Sequence, residues 1–147
     1  MQIDRLSYCL GMVFAFAEVV ASGVKPLALS PPLEPAEVPA LRSEVAAIGT
    51  QFAVLVREDA EVLTTRLFDP AFTAGKAVFL LAADEDVLNE YAALKEERAR
   101  LGASGSEVEE AGLARRFGRL LGYSPQVVDD LLAHPRFAGG GGGIPEA

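Results

Sequence analysis

The chain has few of the residues that most often do protein chemistry. Its 147 residues include one cysteine, Cys9, one histidine, His134, and no tryptophan. A single cysteine excludes any disulfide within the chain and any zinc site built on several thiolates. A single histidine removes metal sites of the paired-His kind and leaves Cys–His catalysis few candidates. No glycine-rich phosphate loop follows any apolar run, and there is no Gly-x-Ser-x-Gly nucleophile elbow. Catalysis would therefore have to run on carboxylates, hydroxyls, Lys, Arg or a bound cofactor of unknown type.

Positive charge is also scarce. Thirteen Lys and Arg stand against 21 Asp and Glu, a formal net charge of -8. Such a chain repels phosphate backbones and anionic lipid on average, which disfavours nucleic-acid and membrane partners. Half of the residues are hydrophobic and 23% are charged, the composition of a folded globular protein. The length suits one α/β domain over residues 1–137, with an α/β core at 1–102 and a C-terminal helical hairpin at 106–134. The remaining 138–147 segment carries five consecutive glycines from Gly139 to Gly143 and reads as a disordered tail.

Residues Leu6 to Val24, LSYCLGMVFAFAEVVASGV, form the longest apolar stretch. Asp4, Glu18, the Ser22-Gly23 stop and an unprocessed start at Met1 favour a buried helix over a signal peptide or a membrane anchor. On a helical wheel Asp4, Ser7, Gly11, Ala15, Glu18 and Ser22 share an arc of about 80°, and nearly everything outside it is apolar. A helix this apolar is buried on more than one side, against a sheet or at a subunit interface. The expectation is self-association through this helix, in a soluble, cytoplasmic protein. Glu18 is the one weak catalytic candidate, as a desolvated carboxylate with Ser22 one turn away; the simpler reading is a solvated or ion-paired side chain.

The rest of the chain alternates. VKPLAL at 24–29 reads as a short strand stopped by Ser30-Pro31-Pro32. Val38, Leu41, Val45 and Ile48 give a helix over 36–48 with Gly49 as its stop. FAVLV at 52–56 and KAVFLLA at 76–82 are continuous apolar runs of strand length. Residues 59–68 are ambiguous, with a slight preference for strand. Asp84 caps a helix that Gly102 ends, and Ser106 with Glu109 forms a capping box for the next. Ser124-Pro125 starts the last helix, which ends near His134-Pro135. The predicted fold is α/β: a small, mainly parallel three- to four-stranded sheet covered by helices, with a C-terminal helical hairpin.

In a parallel sheet the segments following each strand converge at one edge. Ser30, Glu58, Asp59 and Asp84, with Thr64 or Thr65 as a further candidate, would then line one crevice, the usual ligand site of open α/β sheets. The bland alternative is a turn at Glu58-Asp59 and a helix cap at Asp84. No metal site is assigned. Cys9 reads as a core residue, and His134 as a cap for the last helical carbonyls.

Residues 116–132, RFGRLLGYSPQVVDDLL, have Gly118 at a small position, Gly122 at a turn, Ser124 as a cap, and Val128 and Leu131 at core positions. This stretch resembles the helix-turn-helix of bacterial repressors, and the resemblance implies a recognition helix from Ser124 onward. That helix departs from the pattern: it carries Asp129 and Asp130, with Gln126 as its only conventional base reader. Over 106–136 four arginines meet five acids, leaving the segment acidic. Arg115, Arg116 and Arg119 are expected to meet carboxylates in the fold or on a partner. The expected function is thus a ligand-binding or protein-interaction module that self-associates, possible ligand a small molecule. The alternatives are a small carboxylate- or metal-dependent enzyme, and a DNA-binding regulator.

Overall fold

The computed structural model describes residues 1–134, so the glycine-rich tail lies outside the described residues. In chain order the elements are α1 (Arg5–Ala21), β1 (Leu27–Leu29), α2 (Val38–Phe52), β2 (Leu55–Asp59), β3 (Val78–Ala82), α3 (Glu85–Leu101), α4 (Glu107–Leu120) and α5 (Pro125–Ala133). Short 3-10 turns occupy Pro35–Glu37 and Pro70–Phe72. No helix among the described residues is long and apolar enough to cross a membrane.

The mixed α/β class holds, but the mainly parallel sheet does not. The three strands lie in the order β1-β3-β2, and both ladders are antiparallel. The physical reason is visible in β3. Its five residues are all buried: Val78, Leu80 and Ala82 join one core, while Phe79 and Leu81 join the other. A continuous apolar run reports burial on both faces, and helices covering both faces of an antiparallel sheet produce it as well as a parallel sheet does. The β1-α2-β2 crossover does make β1 and β2 run in the same direction, but β3 enters between them in the opposite sense.

One layer is α1 and α2. Cys9, Val13, Ala17 and Val20 of α1 meet Leu41 and Val45 of α2 over Phe79 and Leu81. The other layer is α3, α4 and α5, whose Leu94, Leu113, Phe117 and Val128 pack over Val78 and Leu80. The capped starts expected at Asp84, Ser106 and Ser124 are present, each side chain accepting a hydrogen bond from the first helical turn. The α2 helix runs past its expected stop. Gly49 stays inside it, because a Cβ there would lie 2.6 Å from Val56 Cγ2, and the left-handed residue that ends the helix is Ala53 at φ 55°. Residues 60–67 form neither the strand nor the helix considered for them.

The hairpin of α4 and α5 is closely packed. A Cβ on Gly118 would stand 2.5 Å from Val128 Cγ2, so the helices meet across a bare backbone. Arg115 pairs with Asp129 and Arg116 with Glu90, within the fold. Arg119 has no carboxylate in salt-bridge range among the described residues. His134 donates its backbone N–H to the Asp130 carbonyl at 2.8 Å, as the C-terminal cap of α5.

Glu110 is buried in the first turn of α4 and ties that helix to α3. Its two carboxylate oxygens accept from Arg98 at 2.6 and 2.7 Å. The Arg98 hydrogen bonds hold the Glu110 carboxyl below its ordinary value against the opposing effect of burial. A depressed carboxylate adds stability above its unfolded pKa, and loses it as pH falls through the folded one. Glu110→Gln is therefore expected to lower the unfolding free energy by about 1–3 kcal/mol at pH 7. The difference from wild type should shrink in urea titrations run below about pH 4.

Candidate functional site

The sheet direction decides where the sequence-predicted residues lie. Ser30 follows β1 and Asp59 ends β2, both at the end of the sheet where β3 begins. Asp84 follows the far end of β3, so the antiparallel centre strand carries it to the opposite edge. There its Oδ1 accepts the Val87 N–H at 3.0 Å as the cap of α3. The single crevice expected for Ser30, Glu58, Asp59 and Asp84 is not formed.

Adjacent strand residues face opposite sides, which separates the other acids. Glu58 pairs with Arg42 of α2 at 2.6 and 2.8 Å on the surface, and that guanidinium holds its carboxyl below the ordinary range. Asp59 turns inward to α3. It accepts from the Tyr91 hydroxyl at 2.6 Å, from Lys95 Nζ at 2.7 Å and from the Glu61 N–H at 3.0 Å. Burial, with Asp59 as acceptor, pushes the Tyr91 phenol above its ordinary value, so it stays a donor. Glu18 is exposed on α1, and Ser22 bonds the Val19 carbonyl rather than Glu18. Among the described residues no group of three His, Cys, Asp or Glu side chains is placed to hold a metal ion. Cys9 is fully buried, and burial pushes its thiol up to about 11, so it sits in the core as an unreactive thiol.

The structure contains a different site, a cavity of about 350 Å³ along the outer edge of β1. Four segments wall it. Tyr8, Met12 and Phe16 repeat every four residues on α1, beside the stripe that fills the core. Leu29 to Pro32 follow along the sheet edge, where Pro31 and Pro32 end the strand. The irregular segment contributes Val62 to Thr65 and Phe68, and α4 with its C-terminal turn adds Phe117, Leu121 and Tyr123. Of the residues expected in the crevice, Ser30, Thr64 and Thr65 are in this lining, and the Ser30 hydroxyl is occupied: it accepts the Phe79 N–H at 2.9 Å and donates to the Pro31 carbonyl at 3.0 Å.

Among the described residues two charged side chains line the cavity, those of Lys25 and Asp69. Asp69 caps the Pro70–Phe72 turn, its Oδ1 accepting the Ala71 N–H at 2.9 Å. Lys25 is half-buried between two rings, its Nζ 5.7 Å from the Phe16 centroid and 5.9 Å from that of Tyr123. Both distances are within cation–π range. Desolvation lowers the Lys25 pKa from its ordinary value. No carboxylate lies within salt-bridge distance of Lys25 among the described residues.

Lys25 is held there by the turn between α4 and α5. Gly122 sits at φ +81°, and a Cβ on it would lie 2.7 Å from Lys25 Cβ and 3.1 Å from Lys25 Cα. The sequence reading found Gly122 as a turn residue but missed Lys25 and the cavity. The available signal was the surplus apolar circumference of the first helix: one stripe of it fills the core, and the next lines the cavity.

No protein-family model, curated protein or solved structure matches the chain. Gly122→Ala would combine a left-handed conformation with a backbone collision. It is expected to reduce stability by about 1–3 kcal/mol, read as a lower urea midpoint with an unchanged slope.

Proposed function

We propose that the protein is a small-molecule-binding module whose ligand is a compact organic molecule with an aromatic or branched apolar body. The observation that carries this reading is the cavity itself. It stands beside two filled cores, and its 350 Å³ is at the small end of the range that ligand sites occupy. Its walls are rich in rings and aliphatic side chains and among the described residues include Thr64, Thr65, Thr73 and Lys25, with the Thr65 hydroxyl accepting the Leu67 N–H at 3.2 Å. An apolar enclosure with a few directed polar groups favours orientation of a small ligand over contact with a flat protein surface.

The neutral fluorophore N-phenyl-1-naphthylamine probes this enclosure directly. Saturable one-to-one fluorescence enhancement is expected with the wild-type protein. Met12→Trp places an indole in the cavity from a half-buried helix position. It is expected to weaken that binding at least about tenfold while leaving the circular dichroism unchanged, since a filled cavity excludes the probe. Absence of saturable binding, or equal binding by the folded Met12→Trp protein, would contradict the proposal.

A further inference from the structure

We infer that the cavity selects an organic monoanion, a carboxylate on an apolar body, held by Lys25; this rests on the small-molecule reading proposed above. The cavity presents an ammonium that faces the rings of Phe16 and Tyr123 and has no carboxylate in salt-bridge range among the described residues. Burial without an ionic partner makes that charge costly, and the depressed pKa of Lys25 reflects the cost. An incoming carboxylate supplies the missing partner where water is partly excluded, so the pair forms with little competing solvation.

The edge of β1 adds a second donor. The Ser30 N–H bonds to the Phe79 carbonyl, and the Pro26 carbonyl accepts from Ala83, so the even-numbered residues of β1 turn toward β3. Antiparallel pairing alternates, and Leu29 therefore turns its N–H and carbonyl outward on the edge that borders the cavity.

The charge balance points to a monoanion rather than a phosphate dianion. Among the described residues one lysine lines the cavity and Asp69 lines it too, and the whole chain carries a net charge of -8. Among the described residues a second negative charge on the ligand would meet no second cation, and it would add repulsion from the protein's own field. The Asp69 Oδ1 already accepts the Ala71 N–H as the cap of its turn.

Calorimetry with 1-naphthoate, 1-naphthamide and 1-naphthyl phosphate tests the inference, since the three share one apolar body. Wild type is expected to bind the carboxylate at least about tenfold more tightly than the amide, and more tightly than the phosphate. Lys25→Met keeps the aliphatic stem and should abolish the preference for the carboxylate over the amide. Lys25→Arg keeps the charge and should retain the preference, which separates lost recognition from lost folding. Equal binding of naphthoate and naphthamide by wild type would overturn the inference and leave the small-molecule reading standing. So would a preference that survives in Lys25→Met, and so would tighter binding of the phosphate. If none of the three binds and N-phenyl-1-naphthylamine does not bind either, the small-molecule reading itself fails, and the inference with it.

Discussion

The buried carboxylate of Asp59 is the constraint on which the cavity side of the molecule depends. A carboxylate removed from water must be surrounded by donors, and the three that reach it come from Glu61, Tyr91 and Lys95. Tyr91 also accepts the Leu63 N–H at 3.1 Å, so one hydroxyl joins the end of β2, the following loop and α3. The loop has no ladder or helix of its own to satisfy its backbone. Its path is set by this network and by Leu63 and Leu67, which are buried in the core against α4. Once those two leucines are seated, Val62, Thr64 and Phe68 are left to form a wall of the cavity. Losing the Tyr91 hydroxyl would leave a buried N–H and a buried carboxylate short of partners, each worth about 1–3 kcal/mol. The cost would fall on the loop first.

The opposite wall rests on a steric constraint. β1 is three residues long and ends in Ser30-Pro31-Pro32, so no further strand is paired with its outer edge in the described structure. α1 lies over one face of the sheet and α4 over the other. The space between them along that edge is bridged at one end by Gly122 against Lys25. The same contact that closes the α4–α5 turn thus fixes the one ammonium that lines the cavity among the described residues.

The local chemistry of the sequence was largely readable, and the long-range geometry was not. Asp84, Ser106 and Ser124 could be read as caps because a cap is a relation among residues within one turn. The burial of Phe79 and Leu81 was equally plain in the apolar run of β3. The direction of β3 was not, since burial on both faces is the same for parallel and antiparallel neighbours, and that one ambiguity moved Asp84 to the wrong end of the sheet. Glu58 and Asp59 were grouped as one turn, whereas strand alternation sends one to Arg42 and the other to Tyr91. The surplus hydrophobicity of α1 reads as burial on more than one side, against a sheet or at a subunit interface. Part of it, at Tyr8, Met12 and Phe16, lines the cavity. Lys25 gave no signal, because a lone lysine before a proline becomes informative only when the rings around it are known.

The central claim is that the β1-edge cavity holds a ligand with its anionic group at Lys25. A crystal structure of the protein with 1-naphthoate tests it most directly. The account predicts the naphthalene ring among Met12, Phe16, Phe68 and Phe117, with a carboxylate oxygen within about 3.2 Å of Lys25 Nζ. Naphthoate bound at another surface, or seated in the cavity with its carboxylate turned away from Lys25, would contradict it.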